Sequence, residues 1–361
     1  MTIQISERAE RLKATSLIID PASGAIVDPE PEPRNGERYF DRLVGAGFDS
    51  VAVTLAAHFD DFDAFAHSAW SYLSLFAARP DDVMQIRTVA DIRTARETGR
   101  LGVIFGSQTG TIVGSEGWRW DIAHALGLRV STLTYSEGNM LGDGCNEPTD
   151  RGLTAFGRQA VQDMNRLGIT VDISHVGGRT AEEVVDWSSK AVIASHSNSQ
   201  VLCPSLRNLS RPLMHKLAER GGVMGISPFS AMLYREVGVR PTMRDYLDMI
   251  DHCVDEIGIE HVGIGTDLYE SYTKVVWESK TKRRYPSPWV FETRYAEGFD
   301  QIAQFPTVIE GLIDRGYTDA QIEALVGGNW LRVFQETWEP ETSANGGWAA
   351  RTDTYKVEVT V

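Results

Sequence analysis

Eight short runs rich in β-branched and apolar residues are spread along the chain, and most intervals between them carry helical periodicity. The runs are Ser16–Asp20, Ser50–Leu55, Leu101–Gly106, Arg129–Tyr135, Ile169–His175, Ala191–His196, Gly222–Ser227 and His261–Asp267. Between them, apolar residues recur at three- and four-residue spacing in Glu37–Val44, Asp60–Ala77, Thr154–Leu167 and Thr242–Ile257, the pattern of helices with one buried face. Strands that alternate with crossover helices pair in parallel. Eight such units predict an α/β fold of the TIM type, a (β/α)8 barrel.

No Pro/Ser-rich linker divides the chain, and no G-x-G-x-x-G stands between a strand and a helix. A single barrel domain over residues 1–340 is therefore favoured over two domains or a dinucleotide site. The last residues, 341–361, alternate in strand fashion after a Gly/Ala/Asn stretch. They read as a C-terminal arm that either pairs with a neighbouring subunit or docks loosely. The irregular segment Ser271–Arg294, with the basic cluster Lys280–Arg284, reads as a lid or oligomer contact, the alternative being a solvated loop face.

Charge narrows the partners. Lys and Arg number 35 against 50 Asp and Glu, a net charge of −15, which disfavours nucleic acid and anionic membranes, since both need clustered cations. A small-molecule substrate is expected. Cys145, Cys203 and Cys253 lie far apart, without C-x-x-C spacing, so no disulfide framework is expected and a reducing compartment is. The first residues lack an apolar signal core, and no uninterrupted apolar stretch is long enough to span a bilayer. The expectation is a cytoplasmic protein.

In a parallel barrel the C-terminal strand ends form the ligand face. The residues there are Asp20, His58, Gln108, Tyr135, His175, His196 and Asp267. His175 and His196 end two strands and stand 21 residues apart (196 − 175). Two His and one Asp on different strands make a plausible zinc set, and zinc lowers the pKa of a water to about 7. The plainer alternative is that these imidazoles cap strand ends through backbone hydrogen bonds. His58, just past the second run, either joins as a ligand, caps the next helix or lines the pocket. Trp118, Trp120, Trp277 and Trp289 either line a pocket or pack in the core or an interface.

Several segments together resemble the membrane (renal) dipeptidase family of zinc peptidases. They are Asp172-Ile-Ser-His175, Ser195-His196-Ser197-Asn198, Leu206-Arg207-Asn208, Gly263-Ile-Gly-Thr-Asp267 and Gly327-Gly-Asn-Trp-Leu-Arg-Val-Phe334, in family order. The resemblance implies a homodimeric metallohydrolase that cleaves dipeptides. It implies that His175 and His196 bind zinc, that Asp267 accepts a proton from the attacking water, and that Arg207, with Asn208 beside it, holds the substrate carboxylate, a task suited to a guanidinium.

The chain departs from the family pattern in three places. The family's Asp-Gly-His-x-Asp motif at the first strand is replaced by Asp20-Pro-Ala-Ser-Gly24, and the carboxylate that bridges two metals falls at Gln108. The histidine after the fourth strand aligns with Tyr135, which donates one hydrogen bond but cannot become a cation. These departures resemble a divergent bacterial branch and imply one zinc, or another divalent ion, per chain. Gln108 then joins the substrate-binding set and Tyr135 the catalytic one. The expected function is cleavage of a dipeptide or similar small amide carrying a free carboxylate. Two alternatives stay open: a mononuclear enzyme with lyase, decarboxylase or non-peptide hydrolase chemistry, and a metal-depleted binding protein.

Overall fold

The structure is a computed structural model and describes residues 4–23, 38–268, 270, 274 and 290–339. The expected C-terminal arm, the cluster Lys280–Arg284, and Trp277 and Trp289 lie outside the described residues. Of the segment read as a lid, only Lys274 and residues 290–294 are described.

Nine parallel strands are present among the described residues: β1 (Ile19–Ser23), β2 (Ser50–Thr54), β3 (Val83–Ile86), β4 (Leu101–Ser107), β5 (Leu128–Thr132), β6 (Thr170–Asp172), β7 (Ile193–Ala194), β8 (Val223–Ile226) and β9 (Val262–Ile264). Eight of them follow the order β1-β2-β4-β5-β6-β7-β8-β9, the nearly closed TIM-type barrel that the sequence predicts. The ninth, β3, was not expected. It pairs with residues 101–104 of β4, and β5 takes over beside β4 at Phe105.

The seam between β1 and β9 is held by polar groups. Asp267 N–H donates to the Ala22 carbonyl at 2.8 Å. The buried Asp20 carboxylate accepts from Thr266 N at 3.1 Å and from Thr266 Oγ1 at 2.5 Å. Burial raises the Asp20 carboxyl to about 6, against the hydrogen bonds from Thr266.

Strand periodicity sorts the core into two layers. Val51 and Val53 of β2, Val103 and Phe105 of β4, and Met224 and Ile226 of β8 belong to the larger cluster, with the helices Phe62–Ala78, Arg211–Glu219 and Met243–Ile257. The alternate residues Ile19, Ala52, Ile104, Val130, Ile193 and Val223 belong to a second cluster inside the barrel. That interior is floored by the helix Asn329–Thr337, whose Trp330 and Phe334, with Trp338 just beyond it, stack in succession. This helix lies at the strand starts. Arg332 donates to the carbonyls of Gly221 and Glu260, and Ala191 N–H to Glu336, all just before β8, β9 and β7. Trp330 Nε1 donates to the Ile264 carbonyl at 3.0 Å. A Cβ on Gly263 would stand 2.6 Å from the Trp330 ring, so this close approach requires glycine. With the floor closed, the opposite, C-terminal end of the strands is the one at which a barrel of this type takes its ligands.

Helix boundaries follow their capping residues. Thr154 caps Ala155–Leu167 by accepting from Gly157 N, and Thr242 forms a capping box with Asp245 ahead of Met243–Ile257. Each threonine was read from sequence as the first helical residue and is the cap.

Candidate metal centre and active site

Three non-glycine residues have a left-handed backbone among the described residues: His58 at φ 58°, His175 at φ 72° and Asp267 at φ 50°. All three follow strand ends and are among those read from sequence as site candidates. Such a conformation costs on the order of 1 kcal/mol or more and persists only where surrounding contacts enforce it. The contacts are present. Cys145 N–H donates to the His175 carbonyl at 2.8 Å, and the Tyr295 hydroxyl donates to the Asp267 carbonyl at 2.7 Å.

His175 and His196, both buried, bring their Nε2 atoms to 2.9 Å. Each ring is held from behind by a serine: His175 Nδ1 lies 3.0 Å from Ser136 Oγ, and His196 Nδ1 lies 2.7 Å from Ser195 Oγ. Ser195 Oγ in turn donates to Asp172 Oδ2. Burial first, and the Arg207 charge second, push the His196 pKa well below its ordinary value, so the ring is neutral.

The Tyr135 ring stacks on His175 with centroids 3.9 Å apart and packs on His58 at 4.0 Å. Tyr135 therefore contacts the rings of both His58 and His175. It sits in the loop after β5, since that strand ends at Thr132 and not at Tyr135. Arg207 is buried and donates to the His196 carbonyl at 3.1 Å and to Ser197 Oγ at 3.4 Å. Gln108 is buried directly after β4, with its N–H donating to the Ala56 carbonyl at 2.8 Å.

Asn208, expected to bind substrate, has its side-chain amide turned to backbone groups. Its Oδ1 accepts from Asn198 N at 3.1 Å and its Nδ2 donates to the carbonyls of Cys203 and Met232, each at 2.9 Å. These bonds tie the Asn208 amide to the loop that carries Arg207. Trp120 is a fully buried core residue, and Trp118 is exposed with its Nε1 on Glu116 at 3.0 Å.

Sequence reasoning assigned no role to Asp172, Ser195 or Ser136. The first two stand inside the motifs quoted for the histidines, and a Ser directly before a strand-end His was the available signal. Ser136 follows Tyr135 and carried no signal of its own.

Whether these residues suit a metal can be judged from the donor set. Among the described residues no group of three or more His, Cys, Asp or Glu side chains is placed to hold an ion. The strand ends that would complete a two-ion centre present Ala22 and Gln108, so the set does not fit two ions. It fits one ion at the imidazole pair. Bonds of about 2.1 Å to a shared tetrahedral ion place two imidazole nitrogens about 3.4 Å apart, so the pair at 2.9 Å would open by roughly 0.5 Å around one, and both rings are braced as ligating histidines are.

A family model described as membrane dipeptidase (peptidase family M19) matches residues 32–287 and 291–345 of this chain. Dipeptidase tcpJ of Claviceps purpurea is 27% identical over 272 residues, 75% of this chain and 57% of that protein. An uncharacterized dipeptidase of Schizosaccharomyces pombe, C965.12, is 32% identical over 219 residues, 59% of this chain and 48% of that one. The chain thus spans about half the length of the curated relatives it matches. Among solved structures, an amidohydrolase from Pseudomonas aeruginosa superposes with a TM-score of 0.82 at 28% identity, over 91% of this chain and 99% of that one. A metallopeptidase from Rhodobacter sphaeroides, solved with a phosphinate mimic of L-Ala-D-Ala, reaches a TM-score of 0.75 at 20% identity, over 90% and 100% of the two chains. That second likeness bears on the fold alone.

Proposed function

Because this chain belongs to the membrane dipeptidase family, peptidase family M19, we propose that it is a hydrolase that cleaves a dipeptide or similar small amide carrying a free carboxylate. The observation that carries the reading is the buried pair His175 and His196, with Nε2 atoms 2.9 Å apart at the open end of the barrel and the Arg207 guanidinium bonded to the His196 carbonyl. A cation beside the imidazole pair is the arrangement that a carboxylate next to a scissile amide requires.

The ion we propose is zinc, one per chain, held by His175 and His196. When bound, such an ion supplies Lewis acidity, polarising a carbonyl or acidifying a water. The rest is the work of side chains. Asp267, locked at the end of β9 by its backbone contacts to Ala22 and Tyr295, is our candidate to take a proton from the attacking water. Arg207 orients the substrate through its carboxylate. Tyr135, fixed by its contacts with His58 and His175, offers a hydroxyl to the amide oxygen, and Gln108 offers a neutral amide to the substrate. His58 we assign to support of Tyr135, with metal ligation as the alternative.

The reading extends to a homo-oligomer in a reducing, cytoplasmic setting. The family resemblance supports the first, and the three buried, free cysteines support the second. No helix among the described residues is long and apolar enough to cross a membrane.

One observation favours a second reading: the strand-end positions Ala22 and Gln108 are uncharged, which suits a one-metal conversion of a non-peptide small molecule. Metal analysis of purified protein, with mass spectrometry of products from a panel of dipeptides and N-acyl amino acids, tests both. The expected result is about one zinc per chain and hydrolysis of at least one carboxylate-bearing amide. No bound metal, with no amidase activity after zinc is added, would overturn the proposal. Turnover of non-peptides alone would select the second reading.

A further inference from the structure

The helix Gly178–Trp187, which follows the strand end bearing His175, starts without a cap of its own. Its N-cap residue is Gly177, which has no side chain to accept from the first-turn N–H groups. A carboxylate from another loop takes that place. Asp150 Oδ2 accepts from Arg179 N at 2.7 Å and from Thr180 N at 3.1 Å, and its Oδ1 accepts from Thr180 Oγ1 at 2.6 Å and from Gly152 N at 3.0 Å. Arg179 and Thr180 are the second and third helical residues, the pair whose N–H groups a cap ordinarily serves. A carboxylate there also meets the positive end of the helix dipole. Glycine at 177 admits it: a Cβ would stand 2.4 Å from Asp150 Oδ2 and 3.1 Å from the Asp143 carbonyl oxygen.

Asp150 belongs to the loop between β5 and the helix Ala155–Leu167, the loop that carries Tyr135 and Ser136 at its other end. This loop is stitched along the His175 segment. Cys145 N–H donates to the His175 carbonyl at 2.8 Å and Gly177 N–H to the Asp143 carbonyl at 2.9 Å, with an antiparallel bridge between Gly144 and Val176. Asp143 N–H donates at 3.3 Å to Thr180 Oγ1, the hydroxyl that Asp150 holds, and Arg151 N–H donates to Asp143 Oδ2 at 2.7 Å. Nearer the site, Asn146 N–H donates to the Ser136 carbonyl at 2.8 Å, and Ser136 Oγ lies 3.0 Å from His175 Nδ1. The stitch therefore runs from the helix N-terminus to the His175 ring.

We infer that Asp150 is a positioning residue for the imidazole pair. By capping the helix from across the loop, it fixes residues 143–145 against residues 175–177 and holds His175 in the left-handed backbone, φ 72°, that brings its Nε2 to His196. Such a backbone persists only where surrounding contacts enforce it. A cap supplied by residue 177 itself would serve the helix equally well and would tie nothing to the loop. The inference rests on reading the pair as the holder of an ion, and its test does not depend on the substrate.

The test separates the two roles. Zinc chloride is titrated by calorimetry into the full chain stripped of metal, and the urea denaturation midpoint is measured without metal. Asp150→Ala should lower the midpoint and weaken zinc binding about 10-fold, the smaller of the losses seen when support of a ligating histidine is removed. The double variant Asp150→Ala/Gly177→Ser gives the helix its own cap in the space the carboxylate leaves. It should regain the midpoint but not the zinc affinity. Asp150→Asn, which keeps one acceptor oxygen, should lie between wild type and Asp150→Ala in both measurements. Unchanged zinc affinity in Asp150→Ala would overturn the inference, as would its recovery together with stability in the double variant.

The wild type alone decides where a variant fails to fold. Coupling between two sites is reciprocal, so saturating zinc should slow amide hydrogen exchange at Cys145, Gly177, Arg179 and Thr180 by the same factor of about 10. Exchange at Arg179 and Thr180 that ignores zinc would overturn the inference. A wild type that binds no zinc would overturn the proposed ion and this inference with it, whereas coupled zinc binding in a protein that hydrolyses no amide would overturn only the proposed function.

Discussion

At the ends of β6 and β7 the chain directs its buried polar groups at two imidazoles, whereas at the seam between β1 and β9 it uses them to hold the barrel shut. Both regions place an aspartate in the interior. Asp172 reaches a histidine through a serine hydroxyl, whereas Asp20 reaches the hydroxyl and N–H of Thr266 and the N–H of Ala22. The comparison teaches that a buried strand-end carboxylate marks chemistry only when its hydrogen-bond chain leads to a group able to act on a ligand.

Four measurements break or sharpen this contrast. The largest effect belongs to the imidazole side: His196→Ala should abolish stoichiometric zinc binding by metal analysis and lower kcat/KM at least about 10³-fold, a loss near 4 kcal/mol. If zinc stoichiometry survives, the pair is not the ion's holder. On the seam side the effect is on stability. The folded Asp20 carboxyl titrates at about 6, above its ordinary value of 3.8, so the folded state binds this proton more tightly than the unfolded chain. That contribution is fully present below about pH 4 and is lost as pH rises through about 6, roughly 3 kcal/mol in all. Asp20→Asn should flatten this slope in urea titrations across the range, and an unchanged slope would assign it to another group.

Third, Arg207→Lys should lower kcat/KM about 100-fold, mainly through KM, because lysine cannot form the two-pronged contact with a carboxylate. A carboxamide substrate should lose much less, and equal losses for both would remove Arg207 from carboxylate binding. The smallest effect is Thr266→Val, which deletes one donor to Asp20 at the seam. It should cost about 1 kcal/mol by chemical denaturation while leaving zinc affinity unchanged. A shift in zinc affinity would mean that the two regions are coupled.

The barrel was legible because every strand on its main path is a β-rich run with a helical stretch behind it. The strand β3 escaped notice. Val83-Met-Gln-Ile86 is short, follows Pro80-Asp-Asp82, and is fully buried only at its two ends, so neither alternation nor a long apolar run announced it. His175, His196 and Asp267 could be named from their place at run ends. Their left-handed or braced geometry could not, since no residue preference announces a histidine or aspartate at positive φ. The hydrogen bonds of Asn208 were hidden for a related reason. An amide beside an arginine reads as a second substrate contact, and nothing in the sequence announces its three backbone partners. The relay through Asp172 and Ser195 was invisible because it joins two strand ends 23 residues apart, and single-sequence patterns report faces and periods, not which hydroxyl meets which carboxylate.

The floor of the barrel has a consequence for how the molecule comes to exist. Trp330, Phe334 and Trp338 pack with residues of β1 to β5, β7 and β8, yet they are translated after every one of those strands. A ribosome releasing this chain therefore delivers the strands before the helix Asn329–Thr337 that floors them. Assembly is decided late. A chain interrupted before Trp330 would present apolar strand faces to solvent and invite capture by chaperones, although it already carries every residue of the proposed site.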